Sequence, residues 1–135
     1  MVAKRAAGAD VVVEECVQAL GRPVREFGGL AFRPLLFGEQ RALERGLQEL
    51  LGEEAFLLTM PLAFTVRLQQ AQGGVVMDES LLRARALALL RAHGERVLEL
   101  LCAHTGHRVE QLSQLTAGEL YEAIQHILEV RPLEC

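Results

Sequence analysis

The chain has 135 residues, 50% of them apolar and 24% charged, which suits a single domain whose core needs neither disulfides nor a structural metal. Its net charge of −4 argues against a nucleic-acid or anionic-membrane surface, which needs clustered positive charge to displace counterions. Cys16, Cys102 and Cys135 are far apart and odd in number. They make no disulfide framework, and a reducing compartment is expected.

The first segment, Met1 to Leu20, carries Lys4 and Arg5 and then an apolar stretch interrupted by Asp10, Glu14 and Glu15; this does not read as a signal peptide. Val11-Val12-Val13 is β-branched and suits a strand. After the turn at Gly21-Arg22-Pro23, the runs Val24 to Phe27 and Leu30 to Arg33 flank Gly28-Gly29. Paired glycines supply the positive φ angles of a two-residue hairpin turn. Pro34 would confine the second strand to a sheet edge.

From Glu39 the period changes to that of a helix. Leu43, Leu47, Leu50 and Leu51 form one apolar stripe. Glu39 suits the positive N-terminal end of that helix and Gly52 its stop. Gly46 lies inside the helix at a cost of up to about 1 kcal/mol, which points to a neighbour packed close against it. Residues 54–77 are rich in apolar side chains but broken by Pro61. Val66 to Gln69 suits either strand or helix, and Gln70 to Gly74 reads as a flexible loop, so this segment is the expected hinge. Its longest uncharged run, Ala55 to Val66, is too short to span a bilayer.

Asp78 or Ser80 caps the next helix, which is expected to reach about His104. Its stripe is Leu82, Ala86, Leu89, Leu90, Val97, Leu100 and Leu101, with His93 on the same face. Twenty-five helical residues would span about 37 Å, roughly the width of the whole domain. The helix therefore either breaks at Gly94 or projects towards a partner. A short turn carrying Val109 and Leu112 follows. Thr116-Ala117-Gly118-Glu119 then forms a capping box, and its helix buries Leu120, Ile124, Ile127 and Leu128 before Pro132 stops it. His126 falls on the polar face.

These elements give an α+β chain, mainly α: one domain over 1–135, with a small N-terminal β-hairpin or meander in 10–36 and a bundle of about four helices in 38–131.

The residues that carry chemistry are few. Cys102, His104 and His107 are zinc-type donors within six residues, but their spacing matches no standard site and no second ligand pair stands near. Cys102 reads as a core thiol and the histidines as residues suited to a helix C-terminus. His93, near Glu95 and Glu99, has the chemistry of a general base but reads first as a structural histidine. Acidic neighbours Glu14 and Glu15 oppose a reactive Cys16. There is no Gly-x-Ser-x-Gly and no phosphate loop. No catalytic residue, metal or cofactor is expected, and an enzyme using the Cys102 region is the minor alternative. The apolar run Phe56 to Phe64 has two readings: core, or a recognition surface of Phe56, Leu57, Met60 and Phe64 reshaped around Pro61.

Leu115-Thr116-Ala117-Gly118-Glu119-Leu120, followed by Ile127-Leu128-Glu129-Val130, resembles the ending of some tailed-bacteriophage tail assembly chaperones. The N-terminal β segment from Gly21 to Phe32 ahead of a helical body is similar to their general plan. Arg131-Pro132 stands where that family's pattern often continues with an asparagine. The resemblance implies a non-enzymatic factor in the host cytoplasm that coats the tape-measure protein and helps assemble tail-tube subunits around it. The partners expected are thus other proteins, with no nucleic acid or membrane, and a homo-oligomer is left open. The alternative is a structural virion component or a bacterial protein-interaction adaptor.

Overall fold

The computed structural model describes residues 24–130. The strand suggested at 11–13, Cys16, Cys135 and the stop at Pro132 lie outside them. The described residues are mainly α with one small β-hairpin. The hairpin pairs β1 (Arg25–Phe27) with β2 (Leu30–Phe32). The helices are α1 (Phe37–Leu51), α2 (Phe56–Thr59), α3 (Leu62–Gln72), α4 (Glu79–Ala92), α5 (Gly94–Thr105), α6 (Val109–Leu112) and α7 (Ala117–Ile127), with a 3-10 turn at Gly52–Ala55 between α1 and α2. No helix among these residues is long and apolar enough to cross a membrane.

The hairpin forms where its glycines predict it. Gly28 and Gly29 have φ of 58° and 84°, and Phe27 pairs with Leu30 across the turn. A Cβ at Gly28 would overlap the Leu115 side chain, so the turn needs glycine both for its φ and for its approach to the start of α7. Phe27 and Phe32 are buried, and their ring centroids are 5.9 Å apart. The Phe27 ring also meets His126 of α7 at 5.9 Å. His126 is therefore half-buried against the hairpin, not simply a polar-face residue.

The helix count exceeds the four expected for two physical reasons. First, residues 54–77 are largely helical, as α2 and α3. Pro61 forces the residue before it out of helical geometry; Met60 is extended, at φ −130° and ψ 154°, and this separates the two helices. Val66 to Gln69, open between strand and helix, is helical, and α3 continues through Gln72. Gly73 and Gly74, at φ 73° and 97°, end it, and Gln69 Oε1 accepts from Met77 N–H at 2.9 Å. Second, the 78–104 helix breaks at His93 (φ −115°, ψ 27°), and the two parts take different partners, α4 packing on α7 and α5 on α1. Asp78, not Ser80, is the N-cap of α4 and accepts from Leu81 N–H at 3.0 Å.

The core lies where α4, α7, α2 and the α1–α5 pair converge. Leu43, Leu47, Leu57, Leu58, Val97, Leu101, Leu112, Ile124 and Ile127 are at most 1% exposed. Each fully buried side chain of this size contributes about 1.5–3 kcal/mol through loss of water-exposed apolar area. Gly46 has the close neighbour expected: a Cβ there would lie 2.8 Å from Leu100 Cδ2 of α5. Of the two apolar residues of the short turn α6, Leu112 is buried and Val109 is exposed.

α7 satisfies its end groups with unusual completeness. At its start Thr116 Oγ1 accepts from Glu119 N–H at 3.1 Å, and Glu119 Oε1 accepts from Thr116 N–H at 2.9 Å, the reciprocal capping box. At its end Ile124 O accepts from Leu128 N–H, Gln125 O from Val130 N–H, His126 O from Glu129 N–H, and Ile127 O from Leu35 N–H, all at 2.9–3.1 Å. A helix ordinarily leaves four carbonyls unpaired there; here none is. The bond from Leu35 also fastens the exit of the hairpin to the end of α7.

Candidate protein-binding face and the cleft beside it

The four residues singled out by sequence divide between core and surface. Leu57 is 1% exposed and belongs to the core, so it offers no surface to a partner in this fold. Phe56 is half-buried and packs on the same core. Met60 and Phe64 are exposed, at 36% and 37%. The division follows from geometry: α2 presses Leu57 and Leu58 inward, and the kink at Met60–Pro61 restarts the helix with a new facing. In α3 Thr65 is buried, with Leu62 and Val66 against the core, which leaves Phe64 and Leu68, four residues apart, on the outer side.

Sequence reasoning missed further exposed apolar residues of the same segment. Leu68, Val75, Val76 and Leu81 are also exposed. Together with Met60 and Phe64 they are six of the ten large apolar side chains exposed among the described residues, and all fall between the kink at Met60 and the first turn of α4. The i, i+4 spacing of Phe64 and Leu68 was the available signal. Leu36 and Phe37, at the start of α1, form a separate exposed pair, with the Arg41 guanidinium 5.8 Å from the Phe37 ring.

Beside this face, α3, α4 and α7 enclose a cleft of about 400 Å³. Tyr121 of α7 lines it and is only 4% exposed. The Arg83 guanidinium of α4 lies 5.1 Å from the Tyr121 ring centroid and 3.7 Å from Glu122 Oε2. It also passes over Gly118, where a Cβ would sit 3.4 Å from an Arg83 terminal nitrogen. Burial pushes the Tyr121 hydroxyl pKa above its ordinary value, with Arg83 opposing and Glu122 and Glu79 reinforcing. Tyr121 was also missed, although it stands three before Ile124 and seven before Leu128 on the α7 stripe.

The zinc-type donors take other roles. Cys102 Sγ donates to the His107 carbonyl at 2.8 Å. The His107 ring nitrogen Nε2 is 2.7 Å from Ala31 O, and its ring meets Phe32 edge-on at 4.8 Å. His107 thus joins the end of α5 to the hairpin, and His104 is half-buried in the last turn of α5. Among the described residues no three His, Cys, Asp or Glu side chains converge as a metal site would require. His93 is half-buried at the α4–α5 break.

No family model, curated protein or solved structure matches this chain.

Proposed function

We propose that the chain is a non-enzymatic protein-binding factor that works in the cytoplasm as a tail assembly chaperone of the tailed-bacteriophage kind. It covers apolar helical segments of a tape-measure protein and engages tail-tube subunits. The observation that carries the binding role is the concentration of exposed Met60, Phe64, Leu68, Val75, Val76 and Leu81 within residues 60–81. Single exposed apolar residues are ordinary, but a gathering of them marks an interaction site. An amphipathic client helix buries its apolar side against such a face. The resemblance of Leu115 to Leu120 and Ile127 to Val130 to the chaperone ending supplies the kind of client.

Capture of the tagged chain's partners from its native lysate, with identification by mass spectrometry, tests the reading. Recovery of a long helical tape-measure protein or a tail-tube protein, with the chain itself absent from mature particles, is the expected result. Its retention in finished particles would make it a structural component. Recovery of host regulatory or metabolic proteins alone would make it an adaptor.

A further inference from the structure

The cleft between α3, α4 and α7 collects hydrogen-bond donors that the fold leaves unused. α3 begins on Pro61, which offers no side-chain cap. The N–H groups of Leu62 and Ala63, both lining the cleft, have no acceptor among the described residues. Uncapped first-turn amides of an 11-residue helix carry the positive end of its dipole. By itself that is an ordinary surface feature. The second observation is Tyr121: its side chain is almost wholly buried, lines the same cleft, and its hydroxyl has no hydrogen-bond partner among the described residues. The hydroxyl is not sealed off, since Thr65 Oγ1 alone is buried without a partner among the described residues, so it stays open to an acceptor entering the cleft. On the α4 side the lining is Glu79, Ser80 and Arg83, the last held over the Tyr121 ring.

We propose that this cleft is a binding site for a carboxylate group. One oxygen takes the Leu62 and Ala63 amides, and the other takes the Tyr121 hydroxyl and the Arg83 guanidinium. The charges present select a carboxylate over a phosphate. Glu79 lines the cleft and Glu122 lies against Arg83, so a doubly charged anion would meet two carboxylates and one guanidinium. A singly charged, planar group suffers half that repulsion and matches donors on two sides. The carboxylate comes either from a free small acid or from an acidic side chain of a partner protein. The site does not depend on the protein-binding reading, and either can fail without the other.

The test uses the full chain, isotopically labelled, with amide resonances followed by NMR. Sodium acetate and a blocked Leu-Glu-Leu tripeptide are titrated separately against sodium chloride at equal ionic strength. Acetate is expected to shift the Leu62 and Ala63 amides to saturation where chloride does not. Tyr121→Phe is expected to weaken binding about tenfold, the loss of one hydrogen bond to a charged acceptor. Glu79→Gln, which removes a repelling charge, is expected to tighten it several-fold. Thermal melts establish that each variant is folded, and Arg83→Gln reads the same contact should Tyr121→Phe unfold. Tripeptide binding much tighter than acetate identifies the source as a partner's side chain, and comparable affinities identify a free acid. Absence of a saturable shift with both probes, or undiminished affinity in folded Tyr121→Phe and Arg83→Gln, overturns the proposal.

Discussion

Glu129 holds a left-handed backbone position, φ 57°, that glycine usually fills at a helix end. Its N–H bonds to His126 O while Val130 N–H bonds to Gln125 O, the paired arrangement that closes a helix C-terminus through a left-handed residue. A side chain in that conformation costs roughly 1 kcal/mol, against an exposed bond from Gln40 Nε2 to Glu129 Oε1 at 3.2 Å. Glu129→Gly is accordingly expected to raise the unfolding free energy by about 1 kcal/mol in urea titration. Thr65 presents the opposite defect: it is 4% exposed and its hydroxyl has no partner. Thr65→Val keeps the shape and removes the unpaired oxygen, for an expected gain of about 1 kcal/mol or more by the same measurement. Tyr121 gives a pH signature. Its folded-state pKa is raised above the ordinary 10.0 by burial, so above that pH the unfolded chain releases a proton that the folded chain keeps. The stability that this group confers is complete below about pH 10 and is lost as pH climbs through the folded-state value. Tyr121 is the only tyrosine and there is no tryptophan, so phenolate absorbance reports it alone. The expected midpoint lies above 10 in the folded chain and returns to about 10 in urea.

At the scale of elements, the locally specified parts were legible in the sequence and the parts set by distant contacts were not. The Gly28-Gly29 turn, the leucine stripe of α1 and the Thr116–Glu119 capping box each rest on residues within a few positions of one another. The break at Gly94 was one of two outcomes read from length alone. α3 was obscure because it is apolar on both sides, with Leu62 and Val66 inward and Phe64 and Leu68 outward, which blurs the helical period. His126 was read as a polar-face residue because its partner, Phe27, is brought to it by the hairpin from the other end of the described chain. The same blurring hid which members of the Phe56–Phe64 run are core. The fold separates them: Leu57→Ala is expected to cost about 2–5 kcal/mol, and Phe64→Ala about 0.5 kcal/mol or less, both by chemical denaturation. Comparable losses at the two positions would place Phe64 in the core and remove it from the binding face.

For the molecule as a whole, the bundle and the proposed surface are separable. The core is closed by α1, α2, α4, α5 and α7, with the hairpin fastened to α7 through Leu35, Phe27 and the close approach of Gly28 to Leu115. The six exposed apolar side chains from Met60 to Leu81 belong to α3, its flanking segments and the start of α4, and stay outside that closure. A chain needing them for stability would bury them; one needing them for a partner leaves them as they are. Sequence singled out Met60 and Phe64 but neither the other exposed residues of 60–81 nor the Tyr121–Arg83 cleft, because the cleft exists only once α4 and α7 pack. The most direct measurement compares the wild-type chain with the double variant Phe64→Ser and Leu68→Ser, in melting midpoint and in the amount of partner captured from native lysate. An unchanged midpoint is expected, with partner recovery reduced about tenfold or more, as for loss of two central interface residues. Full recovery of the partner by the stably folded variant would contradict the binding role of these residues.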